Sequence, residues 1–180
     1  MNLVEKALRI AVLYHKDQKR KVDNLPYIVH PVMVALKLAK YGFDDVVIAA
    51  ALVHDILEDT DFTKENLEKE LGPKVLEIVK SISHDDNIKD WVERKKRYIQ
   101  KVRNASFEAK IVSIADKIHN LESLLIAYEQ LGPSVWDKFN TNKDKKIWAE
   151  NELLKIYKQT LNHPLVIEYQ NLVNKINQLL

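Results

Sequence analysis

The chain has 180 residues, no cysteine and a formal net charge of +2. Without thiols there is no disulfide, no cysteine nucleophile and no thiolate zinc site, so any bound metal must rest on nitrogen and oxygen ligands. With 46% hydrophobic and 30% charged residues and only 3 glycines, the composition fits a compact helical protein better than a disordered or all-β one; the near balance of charge gives no footprint for nucleic acid.

The N-terminus Met1-Asn2-Leu3-Val4-Glu5-Lys6 has no basic region followed by an apolar one, and no apolar run approaches the ~20 residues of a spanning helix. A cytoplasmic location without a membrane partner is the expectation. Nothing of low complexity marks a linker, so residues 1–180 read as a single domain, with a motif-bearing core at about 3–125 and C-terminal helices over 133–180.

Helical periodicity runs through nearly the whole chain. Asn2 and Glu5 form a capping box that opens a first helix to about Gln18, and 20–29 is an irregular loop. Pro31 suits the first position of a second helix, which runs to Tyr41 and is closed by Gly42. Asp44 or Asp45 caps a third that carries the apolar stretch Val46–Leu57, with His54 and Asp55 inside it on one continuous helix. Thr63 opens a short helix ended by Gly72, and Pro73 starts another to Ile82. Ser83–Asn87 reads as a loop, followed by a basic helix from Ile88 to Val102. Ser106 caps a long helix through Asp116 to Leu131, closed by Gly132. A two-helix tail follows, with breaks at Asn140–Asp144 and at Asn162-His163-Pro164. No useful strand pattern exists, so the fold class is all-α: an orthogonal bundle of roughly eight to ten helices.

The string His54-Asp55-Ile56-Leu57-Glu58-Asp59-Thr60 places an imidazole and three carboxylates beside an apolar stretch. On a helix, His54 and Asp55 project about 100° apart and can lean onto one cation, while Glu58 and Asp59 fall one turn above them. A second imidazole, His30, stands before Pro31. Asp116 lies inside the apolar pattern 111–121, where a lone acid is costly unless paired or bound to metal, and Asn120 follows one turn later. Together His30, His54, Asp55 and Asp116 form a two-imidazole, two-carboxylate site.

The order His15, Gln18, Arg20-Lys21, Pro26-Tyr27-Ile28, His30-Pro31, then His54-Asp55, Glu58-Asp59-Thr60, then Asp116-Lys117 and His119-Asn120 resembles the HD-domain metal phosphohydrolases. Within them it is most similar to the RelA/SpoT hydrolase domain and the stand-alone small alarmone hydrolases, over roughly Leu3 to Leu125. The resemblance implies an HD-type bundle that binds one divalent ion, with Mn²⁺ as the metal, and removes the 3′-pyrophosphate of guanosine tetra- or pentaphosphate to give GDP or GTP. It gives Glu58 and Asp59 the catalytic role without deciding between them. It places Arg20 on the guanine, Lys21 and Lys95 near phosphate, Asn120 near the ribose or phosphate, and Trp148 over the nucleotide. No synthetase or regulatory domain is expected.

Two segments depart from the family pattern. The short glycine-containing turn after Lys21 is replaced by Val22-Asp23-Asn24-Leu25, which puts the placement of Arg20 in question. A Thr-Lys pair upstream of the basic helix is replaced by Ser83-His84, and His84 reads as a loop residue. His15, His119 and His163 read as non-ligands, with His15 bracing the His-Asp helix, His119 behind a ligand and His163 at the start of a helix. Two other functions fit these residues: an HD phosphohydrolase of another nucleotide or small phosphorylated metabolite, and a non-catalytic, metal-stabilised nucleotide-binding module.

Overall fold

The structure, a computed structural model, describes residues 1–21, 23–85, 87–138 and 142–179. Val22 of the loop after Lys21, Asp86 of the 83–87 loop, and Asn140 and Thr141 of the first tail break lie outside the described residues. The elements are α1 Leu3–Tyr14, α2 Val29–Lys40, α3 Asp45–Leu52, α4 Ile56–Asp59, α5 Lys64–Leu71, α6 Pro73–Ile82, α7 Trp91–Asn104, α8 Phe107–Leu131, a 3₁₀ segment Gly132–Lys138, α9 Lys143–Thr160 and α10 Leu165–Asn177. Among the described residues there is no strand, only an isolated antiparallel bridge between Lys19 and Pro26.

Capping chemistry sets most helix starts. The side chains of Asn2, Asp44, Thr63, Asp90, Ser106 and Asn142 each accept from a backbone N–H of the first turn, satisfying donors that a helix leaves without a partner. Two starts differ from the sequence expectation. Helix α2 begins at Val29, so Pro31 sits in the first turn as its third residue, where its missing N–H costs nothing. Helix α7 begins at Trp91 because Asp90, rather than a residue near Ile88, supplies the cap.

Helix α3 is buried on every side, from Val47 through Leu52, as an evenly apolar helix must be. It packs against α1, α2, α6 and α8. Helix α8 crosses the same core and buries Ile111–Asp116 without interruption. The C-terminal α9 and α10 close the bundle against α7 and α8 respectively.

The expected continuous third helix is broken. Helix α3 stops at Leu52, and α4 restarts at Ile56. The Ala51 carbonyl, which an unbroken helix would offer to the Asp55 amide, instead accepts from His54 Nδ1 at 2.8 Å. A local side-chain bond thus competes with the helical ladder. His54 and Asp55 occupy the resulting corner between α3 and α4, so their relationship is set by this turn and not by helical spacing.

Candidate active site

Four potential ligand atoms converge at the corner. His30 Nε2 lies 3.2 Å from His54 Nε2 and 3.2 Å from Asp116 Oδ1. Asp55 Oδ2 lies 3.0 Å from His54 Nε2 and 3.5 Å from His30 Nε2, and His54 Nε2 lies 3.7 Å from Asp116 Oδ1. Atoms that each stand about 2.1 Å from one ion are separated by roughly 3 to 3.5 Å, so the spacing fits shared coordination. The ligand atoms of His30, His54 and Asp116 all lie within 4.8 Å of one another; Asp55 joins them through the imidazoles.

The two imidazoles and Asp116 each have a partner on the atom turned away from the cluster, whereas Asp55 is held through the same oxygen that faces the imidazoles. His54 Nδ1 is tied to the Ala51 carbonyl and His30 Nδ1 lies 2.7 Å from His119 Nδ1, which leaves both Nε2 atoms facing inward. Tyr27 donates its hydroxyl to Asp55 Oδ2 at 2.5 Å. Asp116 Oδ2 accepts from Lys117 Nζ at 2.6 Å, and its Oδ1 accepts from Asn120 Nδ2.

Electrostatics point to the same ligand set. Burial pushes His30 down. Burial also opposes charge on His54, but the carboxylates of Asp55 and Asp116 prevail and raise it well above its ordinary value. Asp55 is held down by His54 and His30, and Asp116 by Lys117 and both imidazoles, each against its own burial. A proton on His54 therefore stands where a cation would, and the N₂O₂ donor set suits Mn²⁺, Fe²⁺, Mg²⁺ or Zn²⁺.

A cavity of about 100 Å³ opens here, lined by Tyr27, His30, His54, Asp55, Glu58, Ile82, His84, Tyr98, Asp116, Lys117 and Asn120. Glu58 lines it and Asp59 does not. Loss of solvent around the Asp59 carboxyl, with Asp55 nearby, pushes it up to about 6. The cavity is too small for a nucleotide, so only the reacting group can enter it. A larger one of about 1000 Å³, between α6 and α7, shares His84 and Tyr98 as a wall.

His84 is not a bystander in a loop. Its backbone N–H donates to Glu58 Oε1 and its Nδ1 lies 3.0 Å from Glu58 Oε2. Its Nε2 lies 2.8 Å from Lys95 Nζ, and its ring stacks on Tyr98 at 4.2 Å with an interplanar angle of 5°. Lys95 is pushed down to about 7 by burial and by the ammonium groups of Lys117 and Lys146. The nearest aromatic face to Lys95 besides Tyr98 is Trp91, 5.7 Å from its Nζ.

The loop after Lys21 keeps Arg20 in place without glycine. Asn24 adopts the left-handed conformation at φ 61°, which asparagine tolerates better than most residues. Its N–H donates to the Arg20 carbonyl, and the Arg20 N–H donates to Leu25. Arg20 Nη2 reaches Asn120 Oδ1 at 3.3 Å and Ser123 Oγ at 3.2 Å, and the guanidinium stands 6.0 Å from the centre of the Tyr27 ring. Lys21 is exposed beside it. Trp148 does not line the cavity: along α9 the buried side belongs to Ile147, Ala149 and Glu150.

His15 is buried against Tyr27 and bonded to Gln18, whose amide donates to the Asp59 carbonyl; the brace thus acts through Gln18. His163 packs with Tyr41 and Phe43 ahead of α10. Sequence reasoning gave no role to Lys117, Tyr98 or the bond from Tyr27 to Asp55. The adjacency of Lys117 to a buried acid was the one available signal.

A mostly helical bundle with two histidines and two aspartates converging at a helix corner, a potential metal site, marks the class of HD-type hydrolases. The HD-domain family matches residues 7–148. Guanosine-3′,5′-bis(diphosphate) 3′-pyrophosphohydrolase MESH1 of Xenopus tropicalis is 39% identical over 125 residues, 68% of this chain and 69% of that protein. The guanosine-3′,5′-bis(diphosphate) 3′-pyrophosphohydrolase of Aquifex aeolicus (strain VF5) is 34% identical over 129 residues, 71% of this chain. The match spans only 18% of that enzyme's length. The solved structure of a metazoan ortholog of SpoT, described as hydrolysing ppGpp, superposes with a TM-score of 0.85 at 27% identity, covering 100% of this chain and 98% of that one. The chain belongs to the HD-domain family, on the branch that holds these 3′-pyrophosphohydrolases.

Proposed function

We propose that the protein hydrolyses the 3′-pyrophosphate of guanosine tetra- or pentaphosphate, releasing pyrophosphate and GDP or GTP. The observation that carries this reading is one cavity holding His30, His54, Asp55 and Asp116 beside the unligated carboxylate of Glu58; the named activity of the relatives supplies the substrate. The four ligands would hold one divalent ion, with Mn²⁺ proposed. When bound, such an ion supplies Lewis acidity toward phosphate and water.

The chain's own groups do the rest. Water adds to the phosphorus attached to the ribose, the bond from phosphorus to the 3′ oxygen breaks, and that oxygen takes a proton. Glu58 accepts the proton of the attacking water, since its carboxylate alone of the pair lines the cavity. Lys95 and Lys21 would meet the phosphates as point charges, and Arg20, fixed by Asn120 and Ser123, would present its plane to the guanine. Asn120 links that cation to Asp116, which ties the nucleotide's position to the ligand cluster.

The test is hydrolysis of guanosine tetraphosphate beside GTP, GDP and a deoxynucleoside monophosphate, with Mn²⁺ and with chelator. Preference for the 3′-pyrophosphorylated compound, abolished by chelator, is expected. Equal or better turnover of the monophosphate would leave the chemistry standing and overturn the substrate.

A further inference from the structure

The 83–85 loop is built to hold one imidazole still. Lys101 of α7 donates to the Ser83 carbonyl at 2.7 Å, the Ser83 hydroxyl donates to the Val79 carbonyl at 2.8 Å, and the ring of His84 lies flat on Tyr98. The loop carries the Ser83-His84 departure, so this arrangement belongs to this chain's own residues.

The hydrogen-bond roles follow from the partners. Glu58 is a carboxylate and can only accept, so Nδ1 of His84 must carry the proton. Nε2 then presents a lone pair, and the Lys95 ammonium donates to it. Both Glu58 oxygens are engaged by one residue, the backbone N–H on Oε1 and Nδ1 on Oε2. The charged groups facing His84 are Glu58 from α4, Lys95 from α7 and Lys117 from α8. Burial keeps the imidazole from charging, and the two ammonium groups act in the same direction.

We propose that His84 is a positioning residue that fixes the Glu58 carboxylate in the metal cavity and links it, through one neutral imidazole, to Lys95. The proposal rests on the hydrolase reading above. It explains why Lys95, which does not line the small cavity, is aligned with the group that does. Substrate phosphate that draws Lys95 away from Nε2 would leave the Nδ1 bond to Glu58 free to strengthen or slacken, so the phosphate contact and the proton acceptor are not independent.

Three substitutions separate the hydrogen bonds from the packing. H84F retains an aromatic ring on Tyr98 but has no donor, and should lower kcat about 10- to 100-fold with metal content unchanged, the range typical of lost supporting bonds around a metal site. H84N places an amide where Nδ1 was and should recover most of that kcat. H84Q, whose longer side chain reaches the Nε2 position instead, should not. Parental kcat in H84F, or an H84N variant as slow as H84F, would overturn the positioning role. Long-range ¹⁵N–¹H NMR of the histidine rings gives a readout that needs no substrate: the Nδ1–H tautomer of His84 is expected, with the Nδ1–H proton shifted upfield in E58Q, where a neutral amide replaces the carboxylate acceptor. An Nε2–H tautomer would overturn the proposal whether or not guanosine tetraphosphate is cleaved, whereas an inactive parent with the Nδ1–H tautomer would count against the hydrolase reading and leave the Glu58–His84–Lys95 linkage standing.

Discussion

His30 and His119 lie 89 positions apart in sequence and meet with their Nδ1 atoms 2.7 Å apart. One ring must donate and the other accept, and the bond leaves Nε2 of His30 pointing at His54 and Asp116. His119 is itself pushed down to about 4, by burial first and then by His30 and Arg20. Replacing His119 by Ala should therefore free the His30 ring without touching a ligand. The expected result is metal affinity weakened about 10- to 100-fold, read by competitive titration with a chelator. Parental affinity would show that packing alone orients His30.

The two ligand aspartates should differ in what they do for the fold. Asp116 shares a buried ion pair with Lys117, at 2.6 Å with side-chain exposures of 8% and 12%. D116A strands that ammonium, and removing one partner of a buried pair costs about 3 to 5 kcal/mol. The Asp55 side chain is 20% exposed, and the His54 imidazole it pairs with keeps Asp116 as a second carboxylate partner when Asp55 is lost. D55A should abolish bound metal and activity with a smaller loss of stability than D116A. Urea denaturation of chelator-treated proteins is the check, and equal destabilisation would mean that Lys117 finds another partner or moves into solvent.

Much of this site could be read from residue order, because a ligand set of His, His-Asp and Asp is carried by residue types that a core otherwise excludes. The caps at Asn2, Asp44 and Ser106 were legible for the same reason: a short polar side chain before an apolar period has few other uses. The break between α3 and α4 was not, since it depends on whether His54 Nδ1 or the Asp55 amide takes the Ala51 carbonyl, and an apolar run is equally consistent with both. His84 does lie in a loop as expected, but its role was not legible because its partners come from α4 and α7; no local pattern reports a contact made across 26 residues. Trp148, half-buried between Ile147 and Ala149 on α9 and outside the small cavity, remains a proposal that rests on resemblance.

Glu58 and Asp59 give a direct comparison. Both are acids at the end of α4, yet only Glu58 lines the cavity. E58Q should keep the metal and lower kcat on the order of 10²-fold or more, as expected when the proton acceptor is lost. D59N should cost far less, its effect limited to the surroundings of Asp55 and Tyr27. Single-turnover hydrolysis by the two metal-loaded variants decides between them, and a reversed order would transfer the role to Asp59.

Lys95 should trade stability for binding. Its value falls from the ordinary 10.5 to about 7 because it is buried beside Lys117 and Lys146. Between these values the unfolded chain holds a proton that the folded one does not, so this residue makes stability rise as pH increases from 7 and weighs against the fold below 7. Its contact with phosphate needs the opposite state, the ammonium. K95M should therefore be more stable than the parent, by the largest margin below pH 7, and should bind substrate less well there. In the parent, KM for guanosine tetraphosphate should climb as pH passes 7, and K95R, which stays charged, should flatten that climb. Thermal melts and KM measured across pH 6 to 9 test both halves; a KM profile in K95R that matches the parent would assign the titration to another group.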